Sequence, residues 1–172
     1  MASLRFGTAG IPISTPKPST LTGIEQVRRL GLECMELEFV RSVNISEEKA
    51  PLVKEIAKKH NIALTAHGQY YINLNSQEIA KIQASKQRIF KAAKIADLCG
   101  ATSMTFHAAY YMKQDPEKVY LKVKEGTKEV IKHLKEYDHK IWVRPETTGK
   151  ATQWGDLKET VRLSEEVEQV LP

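Results

Sequence analysis

Cysteine is scarce in these 172 residues: Cys34 and Cys99 stand alone, with no CxxC pair. A zinc ribbon and a dithiol redox centre therefore have no sequence support, and both thiols are expected to be reduced, buried and inert, as in an intracellular protein. No apolar run approaches the roughly 20 residues that span a bilayer. The start, Met1-Ala-Ser-Leu-Arg-Phe-Gly7, lacks the apolar stretch of a signal peptide, so a cytoplasmic protein without a membrane partner is expected. Low-complexity tracts are missing too, which argues against a disordered or linker-like chain. A net charge of +5 is mildly favourable to a polyanion but is no nucleic-acid signature by itself. The lysines and arginines from Lys81 to Lys94 recur along a helix pattern and read as a solvated face.

What is present is a rhythm. Short apolar runs alternate with amphipathic helical stretches, as in a parallel α/β protein. Strands are expected at Leu4–Ala9, Cys34–Val40, Ile62–Ala66, Thr102–Phe106 and Ile141–Arg144. Helices are expected from Thr22 to Leu30, from a Ser46 N-cap with an acidic first turn to His60, from Ser76 to Leu98, from an Asp115 cap with Pro116, and from Asp156 to Val167. All of residues 1–172 are read as one domain.

Two architectures fit five βα units, a doubly wound open sheet and a (β/α)₈ barrel of TIM type of which about the first five units are present. An open sheet is covered on both faces, and its strands are apolar throughout. Here Glu36, Glu38, Thr65, Thr105 and Arg144 alternate with Met35, Leu37, Leu64, Met104 and Val143. One polar face suits the interior of a barrel near its active end, so the partial barrel is preferred. Glu36, Glu38, Arg5 and Arg144 are expected to pair as ions inside it. Unclosed sheet edges would favour self-association.

Three strands run into a metal-type ligand. His67, His107 and Glu146 follow the third, fourth and fifth strands at intervals of 40 and 39 residues. Parallel strands end on one side, so all three side chains meet at one rim. Two imidazoles and a carboxylate form a plausible catalytic zinc site with a position open for water or substrate.

The segments His67-Gly-Gln-Tyr-Tyr-Ile-Asn-Leu74, Phe106-His107 and Glu146-Thr-Thr-Gly149 resemble the metal-binding segments of endonuclease IV, archaeal type. That is the zinc-dependent apurinic/apyrimidinic endonuclease family among the xylose-isomerase-like TIM barrels. The resemblance implies hydrolysis of the phosphodiester 5′ to an abasic site in double-stranded DNA, with up to three zinc ions. It implies that His67 and His107 hold one zinc, that Glu146 bridges to a second and is catalytic, and that Tyr70, Tyr71 and Arg41 contact DNA at the lesion. Ala108-Ala109 stands where the family usually has Pro-Gly, Gln69 where it often has proline, and Phe6-Gly7-Thr8-Ala9 lacks a histidine of bacterial members. Ligands completing the other zinc sites would lie past Pro172. This polypeptide is accordingly expected to hold a partial site and to be nearly inactive, the activity belonging to a longer parent. The alternatives are a metal-dependent sugar isomerase or epimerase of the same barrel type, or a non-catalytic truncated homologue.

Overall fold

The computed structural model describes residues 4–168 and 170. Five strands, β1 (Gly7–Ala9), β2 (Cys34–Glu38), β3 (Ala63–His67), β4 (Ser103–Phe106) and β5 (Trp142–Pro145), alternate with five helices. These are α1 (Thr20–Arg29), α2 (Ala50–His60), α3 (Ile79–Leu98), α4 (Pro116–Glu136) and α5 (Leu157–Glu166). All strand pairs are parallel, and the sheet order is β1-β2-β3-β4-β5. Strictly sequential order is barrel winding; a doubly wound sheet reverses direction part-way.

The strand pattern explains the layering. Met35, Leu37, Leu64, Ala66, Met104, Phe106 and Val143 are buried on one face, against the helices. Glu36, Glu38, Thr65, His67, Thr105 and Arg144 occupy the other face and stay partly exposed. The register sets Glu38 beside His67, His67 beside Thr105 and Thr105 beside Arg144. The expected alternation is therefore present, and it places the polar row where a barrel interior would be. Among the described residues no helix is long and apolar enough to cross a membrane.

Helix starts follow local chemistry. Ser19 and Thr22 form a capping box at α1, Asp156 and Glu159 form one at α5, and Asp115 accepts from the Lys118 N–H ahead of α4. At α2 the expectation fails. Ser46 instead closes a turn whose carbonyl accepts from Lys49 and Ala50 N–H, and the helix begins at Ala50 with Pro51 in its first turn and no side-chain cap. Glu47, expected to favour the helix start, reaches across to Lys94 of α3 at 2.8 Å.

The first strand is also shorter than expected. Leu4 and Phe6 are exposed and precede the ladder, which starts where Gly7 meets Cys34. A Cβ on Gly7 would stand 1.8 Å from the Cys34 carbonyl oxygen, so this close approach requires glycine. The remaining ends differ by one to three residues, as strand and helix termini commonly do. Cys99 is fully buried, and burial pushes its thiol up to about 12. Cys34 corrects the expectation of two buried thiols, being only half-buried.

Candidate metal centre

His67 is the last residue of β3, His107 follows β4 directly, and Glu146 follows β5. Glycines let these ends approach. Gly68 donates its N–H to the Thr105 carbonyl at 2.7 Å, and a Cβ there would press on Met104 and Phe106 at 3.1 Å. Gly155, at φ +123°, lies under the Glu146 carbonyl, which a Cβ would meet at 2.5 Å. Sequence spacing thus becomes convergence: one ligand atom from each of His67, His107 and Glu146 lies within 4.8 Å of the others.

The donor set asks for a cation. His67 Nδ1 sits 2.8 Å from the Gly68 carbonyl oxygen, an acceptor only, so this nitrogen carries the N–H. Its Nε2 lies within hydrogen-bonding distance of Glu146 Oε2, at 3.2 Å. His107 Nδ1 is 3.3 Å from the same oxygen, out of hydrogen-bonding alignment, and is buried without a partner. A proton shared by His67 Nε2 and Glu146 satisfies that contact and leaves His107 Nδ1 unpaired. A divalent ion could be held by all three, and the Gly68 carbonyl is the kind of outer contact that orients a histidine ligand. His67 is 13% exposed and Glu146 37%, so the centre opens toward solvent on one side.

The neighbourhood is carboxylate-rich. Burial, then the adjacent Glu38 and the hydrogen bond shared with it, then Glu146, hold the Glu36 carboxyl above the ordinary carboxylate range, with His67 pulling the other way. The expected ion-pair network is not formed: no described ion pair includes Arg5, Glu36, Glu38 or Arg144. The reason is placement. Glu36 and Glu38 lie two apart on one face and repel, while Arg144, three strands from Glu38, turns its guanidinium 5.9 Å over the Trp142 ring. Because folded Glu36 binds its proton more tightly than unfolded chain does, it destabilises above its raised value and not below the ordinary range. Glu36→Gln is therefore expected to raise the unfolding temperature at neutral pH in EDTA, with the gain vanishing in acid. A gain equal at both pH values in thermal melts would contradict this.

The other sequence candidates line the rim. Tyr70 is 55% exposed, and its ring lies 6.0 Å from that of His67 and 6.3 Å from that of His107, nearly parallel to the latter. Tyr71 points outward, more exposed still. Arg41 is exposed beside the same loop; its carbonyl accepts from Gln69 Nε2 at 3.3 Å.

Sequence reasoning missed what Asn73 and Asn75 do. Asn73 Oδ1 accepts from the Asn75 and Tyr110 N–H groups, and Asn75 Nδ2 donates to the Tyr110 carbonyl at 2.9 Å. These amides stitch the loop after β3 to the loop after β4. The Tyr-x-Ile-Asn-Leu run carried the signal, but the Tyr110 groups it is stitched to lie more than 30 residues away.

Residues 24–170 match the family described as xylose isomerase-like TIM barrel. An uncharacterized protein of Methanocaldococcus jannaschii is 40% identical over 169 residues, 98% of this chain and 60% of its own length. The chain thus spans about three-fifths of that curated relative. D-psicose 3-epimerase of Clostridium cellulolyticum, solved with D-tagatose, superposes with a TM-score of 0.71 at 16% identity, covering 94% of this chain and 61% of that one. Endonuclease IV of Thermus thermophilus gives 0.68 at 18% identity, covering 94% and 60%. Both likenesses are of fold.

Proposed function

The chain belongs to the xylose isomerase-like TIM barrel family, and we propose that it carries part of the metal centre of an abasic-site endonuclease. The observation that bears most weight is the convergence of His67, His107 and Glu146 beneath an exposed tyrosine. His67 Nε2, His107 Nδ1 and Glu146 would hold the ion, proposed to be zinc. Bound there, zinc supplies Lewis-acid stabilisation of phosphodiester charge and acidifies a water.

The chain's own residues do the remaining work. Gly68 orients His67 through its carbonyl. Glu146, which follows an edge strand, has the exposure to reach a second ligand. Tyr70 presents a ring face at the mouth, with Tyr71 and Arg41 beside it, where a duplex missing a base exposes unstacked neighbours. A net charge of +5 favours the polyanion.

A second reading, a metal-dependent epimerase of small sugars, is favoured by Glu36 and Glu38, carboxyls on the same sheet face as His67 that could serve in proton transfer. One experiment separates them. The longer M. jannaschii relative, given zinc, is expected to incise a duplex 5′ to a tetrahydrofuran abasic analogue and to stop in EDTA. Epimerisation of a ketohexose without incision would instead support the second reading. The 172-residue chain itself is expected to bind such a duplex without cutting it appreciably.

A further inference from the structure

The loop after β4 is strained, rigidly held and exposed at its tip. Met112 and Lys113 are consecutive non-glycine residues in the left-handed region, at φ 51° and 58°. Such outliers persist only where surroundings over-determine them, and they cluster at ligand contacts. The surroundings do so here. Tyr111 N–H donates to the Thr152 carbonyl at 3.0 Å, and Trp154 N–H to that of Ala109 at 3.0 Å. Tyr111 hydroxyl donates to Glu159 at 2.6 Å, Asn75 holds the Tyr110 carbonyl, and Asn73 Nδ2 lies 3.6 Å from Met112 Sδ.

Despite this lacing, Tyr110 is 39% exposed and Met112 42%. With Asn73, Tyr111, Lys113, Ala151 and Thr152 they line a cavity of about 580 Å³ that contains no carboxylate. Of these, Lys113 is exposed and supplies the cavity's positive charge. The nearby acids are already bonded, Asp115 capping α4 and Glu159 accepting from the Tyr111 hydroxyl and the Gly155 and Asp156 N–H groups.

We infer that this loop is a nucleobase-binding shelf. Tyr110 and Met112 take a base of a nucleotide flanking the metal centre, and Lys113 takes an adjacent phosphate. A flat apolar face, a cationic margin and a pre-ordered backbone are what stacking of a base attached to a polyanion requires. This rests on the endonuclease reading and adds a contact that His67, His107, Glu146 and Tyr70 do not supply.

The test is fluorescence anisotropy of the 172-residue chain with zinc and a labelled duplex bearing one tetrahydrofuran site. Tyr110→Ala should weaken binding about fivefold or more, the low end of a lost base–aromatic stack, and Met112→Ala should weaken it in the same direction by less. Tyr110→Phe should retain affinity. Tyr137→Ala, removing another exposed tyrosine at the far end of α4, should change nothing. Lys113→Ala should lower the slope of log K against log salt by about one. Wild-type binding with Tyr110→Ala and Met112→Ala unchanged would overturn the shelf alone. No wild-type binding at all would overturn the shelf and the endonuclease reading together.

Discussion

Replacing His67 with alanine is expected to weaken zinc binding by about 100-fold or more, since loss of even an outer partner of a metal site costs roughly 10–100-fold. Isothermal titration should show one tight site per chain in the wild type and none in His67→Ala, His107→Ala or Glu146→Ala. The three converge on one point, and two remaining donors cannot complete the set. Tyr70→Ala touches the same rings without offering a ligand atom, so its affinity should stay within about twofold of wild type. The fold should register the difference. Zinc at about 100 times its dissociation constant adds about 2.7 kcal/mol to stability, a gain seen as a higher melting temperature and absent from the ligand variants. A Tyr70→Ala loss as large as that of His67→Ala would mean that the site binds zinc through something other than these three side chains.

Trp154→Ala is expected to be the most damaging single change to the fold outside the metal centre. Trp154 is the largest fully buried side chain, 1% exposed, in the loop between β5 and α5. Emptying such a site costs about 3–5 kcal/mol, a large part of the roughly 5–15 kcal/mol that holds a domain together. The indole contributes volume and not hydrogen bonding, because Nε1 is buried with no acceptor. An unpaired buried donor costs about 1–3 kcal/mol, and Trp154→Phe removes that cost while keeping most of the ring. Urea denaturation followed by far-UV circular dichroism should therefore rank wild type near Trp154→Phe and well above Trp154→Ala. A phenylalanine variant as unstable as the alanine one would show that Nε1 has an acceptor after all.

The parts of this molecule that were legible in sequence are those governed by period and order. Alternation along β2 to β5 announced which face the helices cover, and the near-equal spacing of His67, His107 and Glu146 announced their convergence, because parallel strands share an end. The parts that were illegible depend on partners distant in sequence. Ser46 looked like a helix cap, but Pro51 in the first turn and the Glu47–Lys94 contact fix the start of α2 at Ala50. Arg144 looked like a partner for Glu36 and Glu38, yet three strand spacings separate it from Glu38 in the ladder. His139 showed no pattern at all, although it is buried and holds Asp97 of α3 at 2.8 Å through a pairing 42 residues apart. Leu4 to Phe6 carried a strand-like run, but among the described residues only the Phe6 carbonyl is held, by the Glu33 N–H at 2.8 Å, before the ladder begins at Gly7.

The most direct test of the metal centre is X-ray absorption at the zinc edge of the chain loaded with one equivalent. The predicted result is two imidazole nitrogens and oxygen donors at about 2.0–2.2 Å with no sulfur, falling to one imidazole in His107→Ala. A sulfur shell near about 2.3 Å, or an imidazole count unchanged in His107→Ala, would contradict the assignment of the ion to His67, His107 and Glu146.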